Sequence, residues 1–495
     1  MNTTRKSDGG AGGIDTVADA SQRPPDDIST CKHVANSLME SGLWRIPGLT
    51  HEQRRVWRIS PEPFHLSPQY VAFLERLGPA LHSFYRAANT LYLRQSHPWY
   101  NDYLDRGKPQ SLIDYAHMRF QRRRLPAIIR PDIIMGENGD YITELDSVPG
   151  GFGLTDGLSK VYQELGHSLV GGDRGILHGF ADSLGSLGED AERKPSVAIV
   201  VSEEAEDYRL EMEWIASELR RLGWIALALR PEEITFTEDG LFAREDDRLI
   251  RLDVVYRFFE LFDLKNIAKA ELVMYAAKKR HVVVTPPYKA HLEEKSLLAL
   301  FHHPLLESVW RKEMGDGHYD LLHKCIPQTW VLDNRPCPPH ATIPDLHFRG
   351  APVNDWRTLK QGSQKERRFV IKPSGFSALA WGSRGVVVGH DMSQEDWADA
   401  IEHAISGFEA LPYVLQPFHE GKRVTVRYYD EHEDIVREMA GRVRLSPYYF
   451  VSEDSAKLGG VLATVCPPDK KLIHGMVDAV MAPCAIGREQ GQETR

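Results

Sequence analysis

One stretch constrains this chain more than any other: Arg130 to Pro149, RPDIIMGENGDYITELDSVP. It reads as a β-hairpin. Ile133, Ile134 and Met135 run into a turn at Glu137-Asn138-Gly139, and Tyr141-Ile142-Thr143 leave it. Side chains alternate between faces along a strand, so Arg130 and Asp132 share one face of the first strand. Glu144 and Asp146 share one face of the second. The loop decides whether those faces coincide. A two-residue Asn-Gly turn pairs 132 with 145 and splits the set. A three-residue loop, 137 to 139, with Gly139 left-handed, pairs 132 with 144 and 130 with 146. We take the second, because it converges three carboxylates and one guanidinium. Acids packed that closely repel one another unless a cation lies between them. Oxygen ligands of this kind suit Mg²⁺, which takes few carboxylates and leaves the rest of its shell to water and phosphate. Asp132, Glu144 and Asp146 are therefore the candidate metal ligands. Arg130 is a candidate catalytic residue, holding a phosphate or carboxylate oxygen beside the metal. The alternative is a surface hairpin with scattered charges.

The rest of the chain supplies a setting for that hairpin. Residues 1–28 are rich in Gly, Ser, Asp and Thr without periodicity, and read as a disordered tail. Residues 31–125 read as mostly helical, with Val71, Leu74, Leu77, Leu81 and Phe84 on one face. The hairpin segment covers 126–171. In SVPGGFGLTDG after it, Gly150, Gly151 and Gly153 either let backbone amides approach an anion at a helix N-terminus or form a plain connection. Residues 172–195 look like a linker. A small α/β unit, 196–290, follows, with strands at Ser196–Val201, Trp224–Leu229 and Leu252–Tyr256. Its first turn, SEEAEDY, lacks the glycines of a dinucleotide fingerprint. The acids 203, 204, 206 and 207 are either a solvated turn or, at the C-terminal end of a strand, an amine-binding edge.

Residues 291–484 form the last large region. Phe369 to Pro373 is a strand on which Lys372 alternates with Val370, so a core-facing Val370 turns Lys372 into the same interior. An inward lysine needs an anion, and nucleotide phosphate is a natural one. A Gly/Ser-rich loop runs from there to Gly385. A capped helix follows with Ser393 and Asp396 in box positions, then the strand Tyr413–Pro417. Arg423–Asp430 and Ile435–Leu445 pair through a turn at 431–433. Arg442 and Arg444 share a face there; Arg442 is the second catalytic candidate, for a transferring phosphoryl group or a carboxylate. The end, 485–495, reads as a disordered tail. Five scattered cysteines offer no zinc spacing and fit reduced thiols. A net charge of −10 without a basic stripe argues against nucleic acid. With no signal-peptide or membrane-spanning run, the expectation is a soluble cytoplasmic protein that has no membrane partner.

Arg-x-Asp, eleven residues, then Glu-x-Asp followed by a proline resembles the metal-binding segment of the circularly permuted ATP-grasp ligases, of which the glutathionylspermidine synthase family is one. The matched residues are Arg130, Asp132, Glu144 and Asp146, the last an Asn in that family. The resemblance covers roughly residues 120–450. It implies an α/β (α+β) permuted ATP-grasp fold with acids first and clamp lysines later, a small pre-ATP-grasp domain, and ATP with Mg²⁺ as cofactors. It implies that Lys295 reaches the phosphates together with Lys372, and that Ser374, Gly375, Ser383 and Gly385 line a cover over the triphosphate. It makes Gln416 the adenine-edge residue. The cover is longer than the family's Gly-Arg-Glu-Gly form and carries Phe376 and Trp381. The implied activity joins a small-molecule carboxylate to an amine through an acyl phosphate, releasing ADP. The alternative is a silent ATP-binding scaffold of the same fold.

Overall fold

The computed structural model describes residues 26–43, 57–188, 193–338, 340–470, 472–475 and 478–487. A mixed α/β architecture is built around one large sheet. Among the described residues seven strands form it, six of them in the order Phe64–Leu66, Val480–Ile486, Ser455–Cys466, Ile435–Ser452, Ile128–Met135, Asp140–Asp146, with Arg423–Asp430 off this path. Ile435–Ser452 is long enough to serve two neighbours on one edge. Its first half takes Arg423–Asp430 and its second half takes Ile128–Met135.

Alternation along these strands feeds two cores. Val443, Leu445 and Val461 meet the helix Pro68–Arg94 through Leu74, Leu77, Leu81 and Phe84. Tyr448, Phe450 and Leu462 meet Phe152, Leu158 and Phe180 on the opposite face. The long helix starts where Ser67 accepts a hydrogen bond from the Tyr70 amide at 3.2 Å, with Pro68 following at a position that needs no donor. Residues 172–195 are not a linker. They contain the helix Gly175–Gly185, whose Ile176, Leu177, Phe180 and Leu184 are buried. Its weak helix-forming glycines hide the apolar spacing, and tertiary packing overrides them. At the two ends, residues 27 and 28 already belong to the helix Asp27–Glu40 and the last strand runs on to Ile486. The rest of both expected tails, 1–25 and 488–495, lies outside the described residues.

Two smaller sheets flank the hairpin. One is parallel, ordered Val283–Thr285, Val254–Phe258, Val197–Val201, Ala226–Leu229. Val197–Val201 is buried throughout, which suits a strand covered on both faces. The other is antiparallel, with Trp330–Val331, Tyr413–Pro417, Phe369–Pro373 and Val387–Val388. The helix Gln394–Ser406 covers it, its first turn capped by Ser393. No helix among the described residues is long and apolar enough to cross a membrane.

Candidate active site

The hairpin pairs Arg130 with Asp146 and Asp132 with Glu144, so all four side chains share one face. The cause differs from the expected three-residue loop. Met135 faces Asp140 and the Gly136 amide bonds the Gly139 carbonyl at 2.9 Å, leaving only Glu137 and Asn138 in the turn. Gly139 has φ +149°, far from the left-handed helical well. The extra residue sits in the second strand instead. Ile133 faces Ile142 and Asp132 faces Glu144, which leaves Thr143 as a bulge. A bulge resets facing as a loop residue does, and it also frees a carbonyl. Lys372 Nζ donates to that Thr143 carbonyl at 3.0 Å.

The cluster around the bulge is densely charged. Arg130 contacts Asp132 and Asp146, each at 3.1 Å. Asp132 also receives Arg444 at 3.1 Å and the Ser446 hydroxyl at 3.0 Å. Lys295 Nζ lies 2.6 Å from Glu144. Burial alone would raise the Asp132 carboxyl, but Arg130, Arg444 and Ser446 together hold it below the usual range. Asp146 goes the other way: burial lifts it despite Arg130. Burial brings the Lys372 ammonium down to about 8, with Lys295 adding to the effect and Glu144 opposing it.

The expected metal trio does not assemble. Among the described residues no three His, Cys, Asp or Glu side chains stand as a metal-holding group. Asp132 is sealed, with its oxygens spent on two arginines and a serine. Glu144 and Asp146 are also engaged, by Lys295 and by Arg130 and the Val148 amide, but both line a cleft of about 60 Å³ with Glu260, Glu293, Lys295 and Trp381. Two carboxylates fit Mg²⁺ that arrives with phosphate and water as its remaining ligands.

The other expected site residues divide. Gly375 lines the cleft and must be glycine, since a Cβ there would stand 2.8 Å from the Glu293 carbonyl. Ser374 is fully buried and fastens the loop to the helix Ser296–Phe301, with the Ser296 amide at 2.9 Å, so its hydroxyl does not face the cleft. Ser383 and Gly385 do not line it; the loop presents Phe376, Ser377, Ala380 and Trp381 instead. Gln416 is 2 % exposed, and its side-chain amide donates to the Thr329 hydroxyl at 2.9 Å. Arg442 is engaged with Glu420 and the Pro468 carbonyl. Arg444, two residues along the same face, is the one that reaches Asp132. The amides after the hairpin do hold an anion, an internal one: Glu211 accepts from Gly151 at 2.9 Å and Leu154 at 3.4 Å. Glu260 and Glu293 are not among the expected site residues, and of the two arginines expected on one face it is Arg444 that reaches Asp132. Glu260 follows a strand whose C-terminal end is where ligands gather in a parallel sheet, and that was the usable signal.

The loop from Ser374 to Gly385 lies shut across the cleft. Lys295 Nζ donates to the Ala380 carbonyl at 3.3 Å, Arg384 pairs with Glu204 at 2.7 Å, and Trp381 meets Tyr208 edge-on with centroids 6.0 Å apart.

No protein-family model matches this chain, and no curated protein matches it in sequence. Solved structures do. The apo structure of a glutathione synthetase-like effector from Globodera pallida aligns at TM-score 0.57 and 12% identity, over 94% of this chain and 98% of that one. A putative gamma-glutamylcysteine synthetase from Methylobacillus flagellatus aligns at TM-score 0.38 and 12% identity, over 83% and 88%. The first likeness is one of fold: this chain has the architecture of a glutathione synthetase-like protein along nearly its whole length.

Proposed function

We propose that this chain is an ATP-dependent, ADP-forming carboxylate–amine ligase on a circularly permuted ATP-grasp fold. In this reading the parallel-sheet unit is the pre-ATP-grasp domain and the antiparallel sheet belongs to the nucleotide clamp. The observation that carries it is convergence. Lys295 and Lys372, distant in sequence from the hairpin, both reach it, one at Glu144 and one at the Thr143 bulge. The fold shared with a glutathione synthetase-like protein supports the same reading.

One buried and one half-buried ammonium beside two cleft carboxylates suit a polyphosphate that carries its own divalent ion. When bound, Mg²⁺ lowers the charge cost of bringing a carboxylate to a triphosphate, and Glu144 and Asp146 would hold it. Lys295 and Lys372 would exchange their present partners for phosphate oxygens, and Arg130 would carry charge that builds at the transferred group. A cleft of about 60 Å³ is too small for a triphosphate, so the loop from 374 to 385 must lift for entry. The substrate carboxylate then attacks the γ-phosphorus, giving an acyl phosphate and ADP, and an amine displaces phosphate to form the amide.

The test is ADP release from Mg-ATP with pools of amino acids, small peptides and polyamines, followed by mass spectrometry of the product. Glu144→Ala and Lys372→Ala should each lower the rate by at least about a hundredfold while the protein stays folded. Full activity in either variant, or no ADP with any pool, overturns the ligase reading. The engagement of Asp132 by Arg130 and Arg444 favours one alternative, a fold that binds ATP without turning it over. That outcome would appear as ATP binding with no ADP.

A further inference from the structure

A second cavity opens off the cleft where the C-terminal ends of Val197–Val201 and Val254–Phe258 meet the closed loop. It measures about 20 Å³ and is lined by Val148, Ser202, Tyr208, Phe258, Glu260 and Trp381. That is room for one head group the size of a water or an ammonium. Glu260 stands in the wall that this cavity shares with the cleft. The acids around it are occupied: Asp146 by Arg130, Glu293 by Arg257, Glu204 by Arg384. The Glu260 carboxyl group makes no hydrogen bond or ion pair among the described residues, and only its backbone carbonyl is paired, with the Asp263 amide. Ser202, 2 % exposed, also has a hydroxyl without a hydrogen-bond partner. Glu260 is only partly buried and water can reach it, whereas a buried hydroxyl such as that of Ser202 is usually paired. Tyr208, Phe258 and Trp381 supply aromatic surface, which attracts an organic cation.

We propose that this cavity is the amine subsite: Glu260 and the Ser202 hydroxyl hold the incoming ammonium, and Glu260 takes the proton that frees its lone pair. Its chemistry rests on the ligase reading; its binding rests on the cavity alone. The step balances. One ammonium proton passes to Glu260, and the nitrogen lone pair forms the C–N bond at the acyl phosphate carbon. The C–O bond to phosphate breaks. A second proton leaves with hydrogen phosphate, and the third stays on the amide. The charges facing Glu260 suit a base for this task. Burial first, then Glu293 and Asp146, push its carboxyl up to about 8, while Arg257 and Lys295 oppose them. Such a base is matched to chemistry near neutral pH. The neighbouring acids favour the protonated form of Glu260 in the unliganded chain, and a bound ammonium favours its carboxylate.

The experiment is calorimetric titration of the full chain at pH 7 with methylammonium, putrescine and spermidine, in two buffers of different ionisation heat. At least one amine should bind with release of about one proton. Glu260→Gln should weaken binding at least about tenfold and abolish the proton release, and Ser202→Ala should weaken it less. Binding of none of the three, or unchanged binding and proton release in Glu260→Gln, overturns the subsite. ADP assays on the same proteins separate the two readings. Amine binding without ADP in any pool sinks the ligase and leaves the subsite standing. Equal ADP-forming ligation in wild type and Glu260→Gln sinks the proton transfer and leaves the ligase. Where Glu260→Gln is slow, hydroxylamine, largely neutral at pH 7 and so free of the need for a base, should restore hydroxamate formation; failure to restore it overturns the proton-transfer role.

Discussion

Glu211 reaches from the helix Arg209–Arg221 into the turn after the hairpin and caps the helix Phe152–Glu164 through two amides. Burial raises its carboxyl to about 7 even with those amides pulling down. A folded-state value above the unfolded one means that the folded chain holds the proton over that interval, so this group's stabilising contribution is present below about 4.5 and lost as pH rises to 7. In Glu211→Gln the amide oxygen keeps the cap and nothing titrates. The variant should therefore gain on wild type between pH 4.5 and 7, by about 3 kcal/mol at most, in urea melts taken across that range. A gap that does not change with pH would refute it. The glycines in this turn were visible in sequence, but the anion they hold was not, because it comes from a helix about 60 residues later. Arg442 and Arg444 show the same limit. Alternation puts both on one face, and only the register against Ile128–Met135 decides which of them meets Asp132.

The elements that could be read were those whose signal is local. The helix with Val71, Leu74, Leu77, Leu81 and Phe84, the helix capped by Ser393, and the strand carrying Lys372 all stand where their patterns put them. The facing of the hairpin was legible, while its bulge was not, because a turn and a bulge shift register identically. Deleting Thr143 should keep Asp132 opposite Glu144 and remove only the carbonyl that Lys372 reaches. Circular dichroism should stay native while ADP formation falls; a collapsed spectrum would show the bulge to be needed for the sheet itself. The closed loop makes a second prediction. Arg384 and Glu204 are both substantially exposed, and such pairs contribute about 0–1 kcal/mol. Arg384→Ala should therefore speed limited proteolysis within 376–386 by no more than about fivefold. Trp381→Ala, which also removes aromatic contact with Tyr208, should speed it more. Unchanged cleavage in both would mean that the loop is held elsewhere.

Across the molecule, the two faces of the large sheet make one mechanical unit of the regions that hold the charged cluster. Leu74→Ala on one face should cost about 2–5 kcal/mol and Phe180→Ala on the other about 3–5 kcal/mol. Both should shift the same calorimetric transition; two separate transitions would show the faces to be independent. The mixed α/β character of the molecule was legible in its alternating strand and helix patterns. The pairing of Phe64–Leu66 with Val480–Ile486 is different in kind, since three residues near one end say nothing of a partner near the other. It sets a timetable for biosynthesis. A ribosome making this chain delivers the hairpin about 300 residues before Arg444. The nascent protein carries Asp132 with Arg130 but without Arg444, and an open sheet edge, until Ile435–Ser452 emerges. Chaperone dependence should therefore concentrate in the interval between the hairpin and Ile435–Ser452, when the sheet edge is still unsealed.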